Sequence, residues 1–168
     1  MLNIRRSVII ASGLFGTLAL SLLSVPASAA TATASFGVSA TVQATCLISA
    51  SDLSFGTYTG SAVTATSNIS VTCTDTTPYN VGLDAGVGSG ATTTTRTMSA
   101  AGTTDVLKYA LASLSASGSN WGNVVGTDTE TGTGTGLAQT LTVYGSVAAN
   151  QYIAPAAYTD TVTATISY

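Results

Sequence analysis

The feature that most constrains the fold is an alternation of apolar and polar residues with a period of two. In its longest run, Thr, Ser, Gly or Gln separates small or apolar residues at every second position, namely Ala32, Ala34, Phe36, Val38, Ala40, Val42 and Ala44. Successive side chains of a strand point to opposite faces, so the pattern predicts a β-strand. Because helical periodicity is hard to find, we predict an all-β protein.

Shorter runs of the same kind recur along the chain. They predict six further strands, at residues 53–58, 68–74, 79–83, 107–111, 141–147 and 162–168. Strands of this length separated by Gly, Ser and Thr are typical of an antiparallel immunoglobulin-like β-sandwich. Two low-complexity stretches, 86–95 and 126–136, are predicted loops. The second is Gly-rich but lacks the Gly-Lys-Ser/Thr ending of a phosphate loop, so we interpret it as a mobile hairpin loop.

Residues 1–29 have the organisation of a secretory signal peptide. Arg5 and Arg6 precede an uncharged apolar stretch, and Ala27 and Ala29 form an A-x-A cleavage motif. A membrane anchor is the alternative, since the stretch approaches the roughly 18 to 20 apolar residues that span a bilayer. Several Ser, Thr and Gly interrupt it, which favours the signal peptide and therefore export.

The charge content excludes several functional classes. Charged residues make up 7% of the chain and histidine is absent. After residue 29 only Arg96 and Lys108 oppose seven acidic residues, so nucleic acid and anionic lipid are not expected ligands. Without histidine, neither a serine-type catalytic triad nor a common metal site can be assembled. We therefore predict no enzyme activity, no cofactor and no metal.

The two cysteines, Cys46 and Cys73, both follow the predicted signal peptide. In an oxidising compartment such a pair favours one structural disulfide. On the chain-entropy model, closing this loop contributes roughly 3 to 4 kcal/mol to stability. A metal site would need further ligands, and a redox pair is usually closer in sequence.

Acidic residues and the single tryptophan are the other candidates for chemistry. A glycosidase-like carboxylate pair could in principle come from the acidic residues, Asp52, Asp75, Asp84, Asp105, Asp128, Glu130 and Asp160. Most of them lie beside Thr, Gly or Pro, which favours solvated turn residues. Trp121 could stack on a sugar, but a packing role is the preferred interpretation.

Four segments resemble spore coat protein U domains. Residues 46–58 (CLISASDLSFGTY) and 69–74 (ISVTCT) are similar to the opening of the domain. Residues 136–145 (GLAQTLTVYG) and 157–168 (AYTDTVTATISY) are similar to its closing half. They occur in the order of the family, and the resemblance covers essentially all of the chain after about Phe36.

This family includes subunits of archaic, Csu-type chaperone-usher pili. The resemblance implies an incomplete immunoglobulin-like sandwich of six strands, a disulfide between Cys46 and Cys73, and assembly by donor-strand exchange. Residues 30–43 would form the N-terminal donor-strand extension and residues 44–168 the pilin domain. The alternative is that the N-terminal strand pairs within its own sheet.

Alternation determines which residues would act in such an exchange. The donor strand would insert Ala34, Phe36, Val38, Ala40 and Val42. The C-terminal strand bordering the open groove would carry Val162, Ala164, Ile166 and Tyr168.

The expected function is a structural subunit of an adhesive, biofilm-associated surface pilus. Its partners would be identical or related subunits, a periplasmic chaperone and an outer-membrane usher, and the chain would pass through the periplasm to the cell surface. The alternative is a secreted spore-coat or extracellular-matrix protein that uses the same domain without usher assembly.

Overall fold

The computed structural model describes residues 28–168, and nearly all of the predicted signal peptide lies outside this range. The chain divides into two units at the bond between Ala40 and Thr41. The second unit, Thr41–Tyr168, contains every assigned strand. Within the described residues no helix has the length and apolarity needed to cross a membrane.

Eight antiparallel strands form two sheets within residues 28–168. In chain order they are β1 Cys46–Ala50, β2 Val63–Cys73, β3 Pro78–Leu83, β4 Arg96–Ser99, β5 Val106–Ala112, β6 Glu130–Thr133, β7 Ala138–Val147 and β8 Ala164–Ser167. One sheet has the order β1-β2-β7-β5-β4 and the other the order β6-β3-β8. The predicted all-β sandwich is therefore confirmed.

The core lies between the inner faces of these sheets. On β2 the buried residues alternate as Ile69, Val71 and Cys73, and β3 contributes Tyr79 and Val81. Burying alternate residues on two facing sheets gives each sheet one apolar and one polar face, as the period-two pattern predicted.

The disulfide between Cys46 and Cys73 is confirmed and joins neighbouring strands. The two residues are directly opposite each other in the β1–β2 ladder, and their Cα atoms are 4.1 Å apart. The bond fixes the start of β1 to the end of β2. It thereby holds the first strand of the sandwich where the N-terminal segment joins the domain.

Three of the eight strands, β1, β4 and β6, were not among those predicted from alternation. β1 lies in the gap between the predicted strands that end at Ala44 and begin at Leu53. β6 lies inside the stretch predicted as a mobile hairpin loop, so that prediction is wrong for Glu130–Thr133, which pairs with β3. Its Gly132 lies under the ring of Tyr79, where an added Cβ would be 2.4 Å from the ring. β4 begins with Arg96, which is fully buried. A loop-like composition concealed β6, and a buried charge concealed β4.

Two predicted strands have no ladder in the described structure. Residues 53–58 form no strand, although Leu53, Phe55 and Tyr58 are half-buried against the core. Residues 31–45 likewise form no strand, and all of them are exposed. A strand assignment requires a hydrogen-bonded partner, so alternation alone does not produce one.

Candidate strand-binding groove

The last strand, β8, lies at the edge of the three-stranded sheet. It pairs with β3 along one side, from Asn80↔Ser167 to Leu83↔Ala164, and no described strand pairs with its other side. Val162, Ala164 and Ile166 point inward and are half-buried, whereas Tyr168 follows the strand and is 60% exposed. An unpaired edge presents backbone N–H and C=O groups to any strand that approaches it.

A groove of about 1280 Å³ lies at the start of this strand and is lined by Ala164 of β8. Its first wall is residues 50–60 and its second wall is residues 151–162, and we keep these names below. Side chains of the core form the floor, namely Ser67, Ile69, Leu83, Met98, Leu107, Tyr109, Leu111 and Val143. Most of these are apolar, so the groove offers mainly hydrophobic contact.

The first wall packs closely against β7 at Gly145. A Cβ added at Gly145 would be 2.8 Å from the Phe55 ring and 2.9 Å from a methyl group of Leu53. Only glycine gives these side chains room, since real Cβ atoms do not approach so closely. Gly145 interrupts the apolar alternation of β7, which is the sequence signal for this contact.

At one end the two walls are tied together. The Tyr58 hydroxyl donates to the Ala148 carbonyl at 2.7 Å and accepts from the Gln151 N–H at 3.0 Å. Next to it, the Asn150 N–H donates to the Gly60 carbonyl at 2.9 Å. This end of the groove is therefore closed by hydrogen bonds that the sequence did not reveal.

Side chains, more than strand pairing, hold the second wall in place. The Gln151 amide donates to the Lys108 carbonyl at 2.9 Å and accepts from the Lys108 N–H at 2.8 Å, as a neighbouring strand would. Asp105 accepts from the Ala154 N–H at 2.8 Å. The backbone contributes a bridge between Thr159 and Ser99.

Asp160 links the second wall to the floor. Its carboxylate accepts from the Tyr109 hydroxyl at 2.6 Å and from the N–H groups of Val87 and Thr161, both at 2.8 Å. Burial and the hydrogen bond to Asp160 both raise the pKa of Tyr109, so this phenol stays protonated and remains a donor.

Arg96 lies fully buried behind this region. Its guanidinium donates to four backbone carbonyls, those of Leu83, Asp84, Thr93 and Trp121, at 2.7 to 3.0 Å. Burial lowers its pKa, and the charged form is retained because these acceptors replace water. Arg96 therefore ties the loops after β3 and before β6 to β4.

Asp84 fixes the chain just before β8. Its Oδ1 accepts from the N–H groups of Thr163, at 2.9 Å, and Gly86, at 3.0 Å. Desolvation raises the pKa of Asp84. The hydrogen bonds from the backbone have the opposite effect and outweigh it, so the pKa lies below its ordinary value.

Two other candidates for chemistry, Asp128 and Trp121, also have structural contacts. Asp128 accepts from the Val124 N–H at 2.7 Å, and its role is that of a loop residue. Trp121 is 1% exposed and donates to the Val81 carbonyl at 2.8 Å, so the packing interpretation is confirmed and this side chain offers no surface for a sugar.

The N-terminal segment, residues 31–45, presents apolar side chains to solvent. Phe36 is 87% exposed, and Val38 and Val42 are each 85% exposed. Ala34 and Ala40 alternate with them in sequence. Exposed side chains of this size in an alternating segment indicate a surface that gains free energy when it is covered.

The described domain is thus an antiparallel sandwich with an open groove beside its last strand. Residues 32–165 match the family model of the Spore Coat Protein U domain. The chain belongs to this family. The match begins inside the N-terminal segment, so this segment is part of the family pattern.

Two known proteins are similar to the chain. Protein U of Myxococcus xanthus is 36% identical over 159 residues, which cover 85% of this chain and 88% of Protein U. A chain in the crystal structure of the CsuC-CsuE chaperone-tip adhesion subunit pre-assembly complex, from archaic chaperone-usher Csu pili of Acinetobacter baumannii, is 23% identical with a TM-score of 0.57. That likeness covers 76% of this chain and 41% of the other, and it concerns the fold.

Proposed function

We propose that this protein is a structural, non-enzymatic subunit of a surface pilus and that it polymerises by donor-strand exchange. In this scheme the N-terminal segment of one copy fills the groove of the next and adds a strand to the free edge of β8. Main-chain hydrogen bonds then provide affinity, and alternate side chains enter the groove.

One observation supports the proposal, which is that an open groove and an exposed alternating segment occur in the same molecule. It has a groove of about 1280 Å³ beside an edge strand with one partner. It also has an alternating segment whose apolar side chains are up to 87% exposed. Phe36, Val38 and Val42 would each gain roughly 1.5 to 3 kcal/mol on full burial, and the alanines less.

The proposal includes partners and a route. An exported subunit with an open groove is prone to aggregate until the groove is filled. A periplasmic chaperone would fill it first, and an outer-membrane usher would exchange the chaperone for the next subunit before surface display. The similar fold occurs in a chaperone–subunit complex of archaic chaperone-usher pili, which supports this choice of partners.

A pair of adjacent substitutions tests the mechanism. Val38→Asp would place an unpaired carboxylate in the acceptor groove, at a cost of several kcal/mol, and should abolish polymerisation. Ser39→Asp would place the same charge on the opposite, solvent-facing side and should polymerise nearly normally. The measurement is the ladder of SDS-resistant multimers on unheated gels, because joints of this kind open slowly.

The same comparison gives the contradicting result. If both variants produce the same ladder, the segment is not a donor strand with a defined register. Both should be soluble and folded when held by the chaperone, since the domain core of residues 41–168 contains neither position.

A secreted coat or matrix protein is the second candidate. It is favoured by the family match and by the 36% identity to Protein U, which extends over most of both chains. On this hypothesis the domain acts without usher assembly, so Val38→Asp and Ser39→Asp would behave alike. Genes for a chaperone and an usher beside the coding sequence would argue against it.

A further inference from the structure

Three side chains form a continuous connection across the groove. Phe55 belongs to the first wall, Tyr109 to the floor and Asp160 to the second wall. The rings of Phe55 and Tyr109 meet edge to face with centroids 5.9 Å apart. The Tyr109 hydroxyl then donates to Asp160 at 2.6 Å. The distance between the walls at this point therefore depends on one ring and one hydrogen bond.

The surrounding chain is adapted to this connection. Gly86 has a positive φ of 79°, and a Cβ added to it would be 2.1 Å from the Asp160 carboxylate. Asp160 also accepts from the Val87 N–H, so the loop after β3 approaches it closely. Gly86 is thus the residue that allows Asp160 to take its position.

The polar groups of the floor are already satisfied within the domain. Ser67 donates to the Ser51 carbonyl of the first wall, and Tyr109 donates to Asp160. An occupant strand therefore meets a mainly apolar floor at a fixed width. Under these conditions the size of its inward side chains decides the fit, because close-packed sites resist added volume.

We propose that the Tyr109–Asp160 hydrogen bond is a specificity-determining element that sets the groove width and selects small inward side chains in the donor strand. The occupant is the N-terminal segment of a second copy of this chain, so the inference rests on the proposed function. That segment has alanine or valine at four of its five inward positions, Ala34, Val38, Ala40 and Val42. Tyr109 and Asp160 act by positioning the walls.

The test compares peptides on one protein. The probes are a synthetic peptide of residues 31–43 and four versions in which Ala34, Val38, Ala40 or Val42 is replaced by Phe. The acceptor is the full chain carrying Val38→Asp, so that its own segment does not compete. Fluorescence anisotropy gives the affinity of each peptide, and the ratio of enlarged to natural peptide cancels any loss of folded protein.

The acceptor with Tyr109 intact should bind each enlarged peptide about tenfold or more weakly than the natural one. Tyr109→Phe keeps the ring against Phe55 and removes only the hydroxyl. With this variant, one of the four enlarged peptides should bind only about threefold or less more weakly than the natural peptide. The affinity ratios of the other three enlarged peptides should not change. Asp160→Ala should relax the same position, which provides a second variant with a different chemical change.

The matched control is Asp128→Ala. Asp128 also accepts a loop N–H, from Val124, but it belongs to neither wall, so all four ratios should stay as in the parent. If the parent binds the natural peptide and the ratios are equal in Tyr109→Phe and the parent, the specificity role is wrong and the strand-binding function stands. If the parent binds no peptide, both proposals fail.

Discussion

At the scale of single residues, the domain depends on polar side chains that replace backbone pairing. Arg96 donates to four carbonyls in a fully buried position, and Asp84 and Asp160 hold the chain that leads into β8. A buried donor or acceptor left unpaired costs about 1 to 3 kcal/mol, and more when it is charged. These residues therefore maintain the groove although none of them needs to contact an incoming strand.

The first prediction at this scale concerns the disulfide. Replacing Cys46 and Cys73 together by Ala should lower the free energy of unfolding by about 2 to 5 kcal/mol, because the unfolded chain gains freedom. Equilibrium urea denaturation of the oxidised parent and the double variant measures the difference. Equal midpoints would contradict it. Alkylation before reduction should label neither cysteine of the parent.

The second prediction concerns acid sensitivity at Asp84. Because its pKa in the folded state lies below the ordinary 3.8, the charged form stabilises the fold above that value, and the contribution is lost as pH falls through the lowered pKa. Asp84→Asn keeps an acceptor for Thr163 and Gly86 but no charge. It should destabilise the protein at pH 7 and match the parent more closely near pH 3.

Urea denaturation at both pH values measures this difference. A deficit of Asp84→Asn that is the same at pH 7 and near pH 3 would show that the charge has no part in the effect.

At the scale of elements, both groove walls lie outside the strand ladders except for Ala50 at the end of β1, and β8 has one partner. Residues 52–56 of the first wall alternate between exposed and half-buried as a strand does, yet no described strand forms a ladder with them. The second wall relies on Gln151, Asp105 and Asp160. An added strand could satisfy the backbone groups that both walls and β8 leave free.

The prediction at this scale concerns the effect of a peptide tag added after Tyr168. If a chaperone and then a sister subunit bind the edge of β8, the tag should reduce surface polymer strongly. The matched control is the same tag inserted at Gly90, which is exposed and has no neighbouring atom within 4 Å of its Cβ position. Residues 130–133 are unsuitable because they form β6.

Immunoblotting of sheared surface material measures the yield. Equal yields from the two tagged proteins would contradict a role for the C-terminal edge in assembly.

At the scale of the whole molecule, the proposed donor segment and the proposed acceptor groove belong to separate parts of one chain. The family match spans both, from residue 32 to residue 165. A molecule with one donor and one acceptor forms a heterologous contact that propagates without closing, which is the geometry of a filament.

Deleting residues 31–42 should separate the two activities. The variant keeps its groove, so it should accept a donor from the parent chain, but it cannot donate. Mixed with the parent, it should terminate polymers and shorten them in proportion to its share. The control replaces residues 31–42 by a scrambled sequence of equal composition, and it should also terminate polymers. Electron microscopy measures the filament lengths. Lengths that do not change when the deletion variant is added would contradict the prediction.

The local patterns of the sequence determined the fold class, the disulfide and much of the strand set. Alternation located the strands containing Ile69, Val81, Tyr109 and Val143, because a strand with one buried face has an apolar residue at every second position. The cysteine pair needed only an oxidising compartment, since both cysteines follow the predicted signal peptide. Gly145 also left a sequence signal, as a gap in the apolar face of β7.

Long-range contacts decided what the patterns could not. The composition of β4 and β6 did not indicate strands. The buried charge of Arg96 is favourable only when its four carbonyl acceptors are in place, and Gly132 is required only because the ring of Tyr79 covers it. Alternation was equally clear in residues 32–44 and 53–58, yet neither forms a ladder, because pairing is a property of two segments. The groove and the Tyr109–Asp160 contact, across 51 positions of sequence, exist only once the sheets have packed.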